Sequence, residues 1–266
     1  MHFEGLPTAA LAGSVRATWI TLNPIAGPST PVLPDGCSDL IFHQPLHGTS
    51  TLRLVGVMTT PLHVPREPGR HVALRLHPHA AGALLQEASV HRDLSVDADT
   101  LWGRAARQLH EQLGDLSDEA AAHALQAFVG ARLRPSEPRV MAAVAALEKR
   151  DARVEALAST LGVSSRQFTR LFTREVGVSP RTFLRTARLQ RTLPLLRDSC
   201  WALVEVAALG GFSDQAHLTR EWVALTRMTP AAWRSRHVRN LQDRATDVLK
   251  CSEHVHHPEL SGDDRP

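Results

Sequence analysis

Apolar residues fall into two kinds of pattern along this chain. Over the first 80 residues they form short runs: Leu40-Ile41-Phe42, residues 52–57, and Val72-Ala73-Leu74 through Leu76. Proline and glycine close each run, at Pro34, Gly36, Pro45, Gly48, Pro61, Pro65, Pro68 and Gly69 among others. Proline lacks the N–H that a helix interior or a central ladder needs, so long helices are excluded there. Several short strands at this spacing predict a small sandwich or barrel.

From about residue 80 the period changes to that of a helix. Residues 80–87 predict a short helix, and 97–114 and 117–134 predict two longer ones. In the first of the long pair, Leu101, Ala105, Leu109 and Leu113 recur at near-helical spacing, with Gly114 as the stop. Arg134-Pro135-Ser136-Glu137-Pro138 reads as the linker between halves, and the chain beyond it is helical to about 240. The fold class is therefore α+β. A β-rich sensing or dimerising domain with a helical connection spans 1–135, a helical domain spans 136–240, and the polar segment 241–266 reads as a disordered tail.

The helical domain contains a repeat about fifty residues apart. One copy (153–177) runs through Val154, Leu157, Ala158 and Leu161, then Gly162-Val163-Ser164, then a second helix containing Phe168 and Phe172. The other (202–226) runs through Leu203, Val206, Ala207 and Gly210, then Gly211-Phe212-Ser213, then Leu218 and Trp222. Each closes alike, with Gly177-Val178-Ser179-Pro180 and Arg227-Met228-Thr229-Pro230. Each reads as helix, tight turn, helix. Gly162 and Gly211 supply the positive φ, Ser164 and Ser213 cap the second helices, and Ala158 and Ala207 allow close approach. That is helix-turn-helix architecture, whose second helix enters the major groove.

Subtracting the apolar anchors leaves an outer face on each second helix. Arg166, Thr169, Arg170 and Thr173 share it in the first copy; Gln215, Ala216, Thr219 and Arg220 share it in the second. Arginine can pair with guanine O6/N7, glutamine with adenine, and threonine or alanine methyls can touch thymine. Arg174, Arg181, Arg185 and Arg188 fall to phosphate contacts or to solvent.

Charge sharpens this picture. The chain of 266 residues has a net charge of +3, but residues 136–240 carry +8, against −2 before them and −3 after. Only two of its 30 cations, Lys149 and Lys250, are lysines. Guanidinium forks suit phosphate and guanine edges, so a polyanion partner follows. No apolar run reaches the length of a membrane span, and no secretory signal opens the chain, so a cytoplasmic setting is expected. Cys37, Cys200 and Cys251 offer no C-x-x-C pair and no disulfide framework.

Over about 138–238 the sequence resembles the AraC/XylS family of bacterial transcription regulators. The resemblance rests on Phe168-Thr-Arg170-Leu-Phe172 with Gly177 and Ser179-Pro180, then on Ala207, Gly211-Phe212-Ser213-Asp214-Gln215, Arg220 and Thr229-Pro230. It implies two helix-turn-helix units joined by one long helix, Pro180–Arg197, reading successive major-groove segments about 34 Å apart. Three residues depart from the family pattern. Arg227 stands where glycine is usual, Trp222 replaces phenylalanine, and Pro194 should bend the connecting helix. Residues 33–42, LPDGCSDLIF, look like the signature of a cupin-like domain, implying effector sensing, dimerisation or both.

The resulting reading is a sequence-specific DNA-binding transcription regulator with no catalytic residues, cofactor or metal and no membrane. Its partner is double-stranded DNA; RNA polymerase, a small-molecule effector and a second copy of the chain stay open. The rivals are a cupin-like metal-dependent oxygenase, a DNA-repair alkyltransferase, and an interaction protein silent toward DNA. For the first, His43, His47, His63, His71, His77 and His79 cluster in the β-rich half without a convincingly spaced carboxylate. For the second, three dispersed cysteines cannot supply both a zinc site and a nucleophile. Cys251, His254, His256 and His257 read as tail decoration, Cys37 as a buried hydrophobe, and Asp35 as a turn residue.

Overall fold

The computed structural model describes residues 2–149, 153–198 and 200–242. Its first half is built on a six-stranded antiparallel sheet. The strands are β1 (His2–Gly5), β2 (Val15–Asn23), β4 (Asp39–Pro45), β5 (Thr51–Val55), β7 (Gly69–Leu76) and β8 (Ser95–Asp97), in the order β1-β2-β7-β4-β5-β8. A separate ribbon pairs β3 (Gly27–Val32) with β6 (Leu62–Arg66). The α+β class holds, with the strands gathered first and the helices after.

Register shows why one sheet face is apolar. Leu40 pairs with Leu54 and Leu74, and Phe42 with Leu52 and Val72, so alternate positions of three strands stack on one side. Helices α3 (Arg104–Leu113) and α4 (Asp118–Gly130) close that side with Leu109, Leu113, Leu125 and Val129. The short helices α1 (Ala81–Leu85) and α2 (Ala98–Trp102) lead into them.

One predicted helix is two. Residues 97–114 break at Gly103, whose φ of 55° and ψ of −132° lie outside the helical region and are open in practice to glycine. Helix spacing persists across the break, which is why periodicity alone ran the pieces together. β2 also escaped the apolar-run reading, because its small and polar members Ala17, Thr18 and Thr21 dilute the run. Its lack of proline and glycine and its content of Val15, Trp19 and Ile20 were the available signals.

The second half has two apolar centres. Helices α5 (Pro138–Leu147), α6 (Val154–Thr160), α7 (Ser165–Val176) and the start of α8 (Pro180–Arg197) enclose Val144, Leu147, Phe168, Phe172 and Phe183. The end of α8 with α9 (Leu203–Gly210), α10 (Gln215–Thr226) and α11 (Pro230–Gln242) encloses Leu189, Leu196, Val206, Leu218, Trp222 and Trp233. α11 runs two residues past the expected limit; 243–266, with Cys251 and the tail histidines, lie outside the described residues.

The halves are packed together. Val57 of the β-rich half sits in the first helical core at 2% exposure. Gln190 Nε2 donates to the Pro34 carbonyl at 2.6 Å, and a Cβ on Gly36 would meet the Phe183 ring at 2.7 Å. In the linker, Arg134 donates from its backbone N–H to Ala83 O and from its guanidinium to Gly82 O.

Candidate nucleic-acid interface

Two helix-turn-helix units are present, α6 with α7 and α9 with α10, and their turns use the same physics. α6 ends ahead of Gly162 (φ 65°) and α9 at Gly211 (φ 84°). Val163 N–H donates to Ala158 O in the first turn, and Phe212 N–H to Ala207 O in the second. The close approach of α9 to α8 depends on Gly210, where a Cβ would collide with the Thr192 methyl.

The caps differ between units. Ser164 heads α7 in a reciprocal capping box: its hydroxyl accepts from Gln167 N–H, and Gln167 Oε1 accepts from Ser164 N–H at 3.1 Å. At α10 the cap is Asp214, one residue later than Ser213. Its carboxylate accepts from His217 N–H at 2.6 Å, and Ser213 Oγ donates to its other oxygen at 3.0 Å. A carboxylate outcompetes a hydroxyl for the positive end of a helix. That backbone bond, then Ser213, then nearby Arg220, hold Asp214 below the usual carboxylate range.

The anchors point inward: Phe168, Phe172, Leu218 and Trp222 are buried. Trp222 meets Trp233 edge-on at 5.7 Å and keeps an apolar role, although its indole N–H finds no acceptor among the described residues. Arg166, Thr169, Arg170, Gln215, Ala216 and Arg220 are exposed, while Thr173 and Thr219 are half-buried. Thr219 spends its hydroxyl on Gln215 O at 2.9 Å, leaving its methyl as the feature free to touch a base. Among the described residues, Arg166, Arg170 and Arg220 stand in no ion pair.

The arginines assigned to phosphate or solvent have other duties. Arg174 pairs with Glu175 at 2.7 Å, Arg181 with Glu155 at 2.8 Å, and Arg185 with Glu221. The Arg181 hydrogen bond lowers the Glu155 carboxyl from its ordinary range. Arg191, which sequence reasoning passed over, lies on α8 and ties α5 to α9. It donates to the carbonyls of Glu148 and Lys149 after α5 and of Gly210 at the end of α9. A cation at two helix C-termini is favoured by both dipoles.

Arg227 resolves one departure. It takes the left-handed conformation (φ 63°) that Gly177 (φ 93°) takes after α7, so the exit turn survives without glycine. α8 continues through Pro194 to Arg197.

The remaining candidates settle into structural roles. Arg75 pairs with Asp39 at 3.0 Å and Asp35 at 3.2 Å, and Asp35 also accepts from Cys37 N–H. Cys37 is a free thiol that burial pushes well above its ordinary range, which makes it a poor nucleophile. His43 stacks on His71 at 4.1 Å and His77 on His79 at 5.4 Å. Among the described residues no group of three or more His, Cys, Asp or Glu is placed to hold a metal, and no helix is long and apolar enough to cross a membrane.

Comparison with known proteins agrees with this geometry. Residues 157–236 match the model of a helix-turn-helix domain family, and residues 4–92 match a domain family of unknown function, DUF6597. An uncharacterized HTH-type transcriptional regulator of Haemophilus influenzae is 30% identical over 84 residues, 32% of this chain and 28% of that protein. The chain thus spans little more than a quarter of that relative's length. Among solved structures, the DNA-binding domain of AdpA in complex with a target DNA is 30% identical, covering 40% of this chain and 95% of that one at a TM-score of 0.35. ToxT from Vibrio cholerae is 10% identical, covering 82% and 98%, at a TM-score of 0.44. The carboxy-terminal half is a helix-turn-helix domain. More particularly, it carries two such bihelical units, α6 with α7 and α9 with α10, behind a β-rich amino-terminal half.

Proposed function

We propose that this chain is a sequence-specific DNA-binding transcription regulator that reads two successive major-groove segments of double-stranded DNA. One observation carries the reading. Two copies of one bihelical unit each hold an arginine, Arg170 and Arg220, on the solvent face of the second helix, without an ion pair among the described residues. Arg166, Thr169, Arg170 and Thr173 read one segment from α7. Gln215, Ala216, Thr219 and Arg220 read the other from α10. The helical half, residues 136–240, does the binding, and the β-rich half, residues 1–135, senses, dimerises or both. The chain does no chemistry in this reading and acts in the cytoplasm, with RNA polymerase, a small-molecule effector and a second copy as further partners.

Selection of bound fragments from random duplexes at stated salt tests it. The expected motif has two blocks about one helical turn apart. Arg170→Ala and Arg220→Ala should each relax preference within one block, losing about 1–3 kcal/mol of discrimination there. Equal weakening on every sequence, relieved by no choice of base, would recast both as phosphate clamps. Recovery of no motif would sink the reading.

A further inference from the structure

The base-reading face of α7 does not stand alone in solvent. A tight 3-10 turn of the β-rich half, Ala88–His91, lies against α7. The approach is close: a Cβ on Gly177, just after α7, would come within 3.2 Å of Ala88 O and 2.6 Å of the Val57 side chain. A Cβ on Gly82 would collide with Glu175. Two non-glycine residues in the left-handed region flank this turn, Gln86 (φ 67°) and Asp93 (φ 58°). Such conformations persist only where their surroundings impose them. Here the Asp93 carboxylate accepts from Thr59 N–H at 2.6 Å and from Thr59 Oγ1 at 2.7 Å, and Asp93 N–H donates to Val57 O. The turn is fixed in place.

Between turn and helix runs a cleft of about 650 Å³ whose walls include Glu87, Ser89, Arg139, Arg170, Thr173 and Arg174. Three guanidinium groups share the cleft with one carboxylate that has no cationic partner among the described residues. Glu87 accepts only the Ser89 hydroxyl, at 3.1 Å. Arg139 rests on Glu137 and Arg174 on Glu175, each with further N–H groups to offer, while Arg170 has no ion pair among the described residues. A helix lying in a major groove about 12 Å wide is flanked on both sides by sugar–phosphate backbone. On the side of this cleft, the backbone would have to pass Ser89 and Glu87.

We infer that the β-rich half contributes directly to DNA binding: the cleft between residues 87–91 and α7 seats one DNA backbone, gripped by Arg139 and Arg174 and opposed by the Glu87 carboxylate, while Arg170 reaches past it to the bases. This rests on the reading of α7 as a base-reading helix. The carboxylate limits affinity for phosphate in general, so residence depends more on correct base contacts. Removing it therefore tightens binding to any sequence.

The test uses the whole chain, a selected duplex and an unrelated duplex, at about 50 and about 200 mM salt. Glu87→Gln should bind both duplexes roughly three- to tenfold more tightly at the lower salt, with the gain shrinking at the higher. Arg139→Ala should weaken both and flatten the salt slope by about one. A hydroxyl-radical reagent tethered to Ser89→Cys should cut the backbone beside the block read by α7. Unchanged affinity in Glu87→Gln, or no cutting from position 89 on a duplex that is bound, overturns this inference alone. Stabilisation by inorganic phosphate that vanishes in Arg139→Ala, without cutting, would give the cleft to a free anion and overturn it as well. Binding of no duplex by the unaltered chain would sink the underlying reading too.

Discussion

Arg227 holds a backbone conformation that costs a side chain with a Cβ about 1–2 kcal/mol. It is exposed, and its N–H still closes α10 onto Val223 O, so the bond that ends the helix does not need the side chain. Arg227→Gly should therefore stabilise the chain by up to about 1 kcal/mol, less what glycine's freedom returns to the unfolded state. Thermal denaturation reads this directly; a lower midpoint would mean that the guanidinium holds the turn. His71 makes the opposite kind of prediction. Burial, then the charge of stacked His43, lowers it to about 4, well below an unfolded histidine. The unfolded chain thus binds the proton first. Stability should be full above about pH 6.5 and fall as pH drops toward 4. His71→Gln should flatten that decline in melting curves taken between about pH 7 and 5, and an equally steep curve would refute the assignment. At this scale the outer faces of α7 and α10 were legible, because subtracting Phe168, Phe172, Leu218 and Trp222 leaves one side. The partners of Arg174, Arg181 and Arg185 were not: Glu221 lies 36 residues from Arg185, and no local pattern joins them.

Helices were legible as elements because their signals are local. Capping serine, apolar stripe and closing glycine all fall within α7 or one residue beyond its ends. The β-rich half was legible only as a class. β2 pairs with β7 across about fifty residues, and that register belongs to neither strand's own sequence. The cap of α10 failed for a subtler reason: Ser213 and Asp214 are both good caps, and only backbone geometry chooses. Ser164→Ala removes one partner of the box on α7 and should cost about 1 kcal/mol. Ser213→Ala should cost less than Asp214→Ala, since the aspartate holds the N–H bond and the serine only supports it. The lowered Asp214 carboxyl adds a signature. Its contribution is present above the unfolded carboxyl's titration and lost as pH falls through the folded one, so the variants should converge in strong acid. Equal melting points for the two single variants at neutral pH would restore Ser213 as the cap.

For the whole molecule, the question is whether two halves with separate cores unfold separately. Each has apolar centres of its own, which favours independence. The seam favours coupling. Val57 completes a core made otherwise of the helical half, Gly36 admits Phe183, and Arg134 ties the linker to α1. Arg191, on the connecting helix α8, then ties the end of α5 to the end of α9 through three carbonyls. A chain joined in this way should melt in one cooperative transition. Val57→Ala removes buried methyls from the one side chain of the β-rich half that enters the other core, at a cost of about 2 kcal/mol. The helical half should bear that cost, so calorimetry should show its transition move below that of the β-rich half and separate from it. If the variant still melts in a single transition, displaced as a whole, the halves share more than this seam. If the unaltered chain already shows two transitions, the seam does not couple folding, and a signal in the sheet would reach α8 through contacts such as those of Gly36 and Gln190.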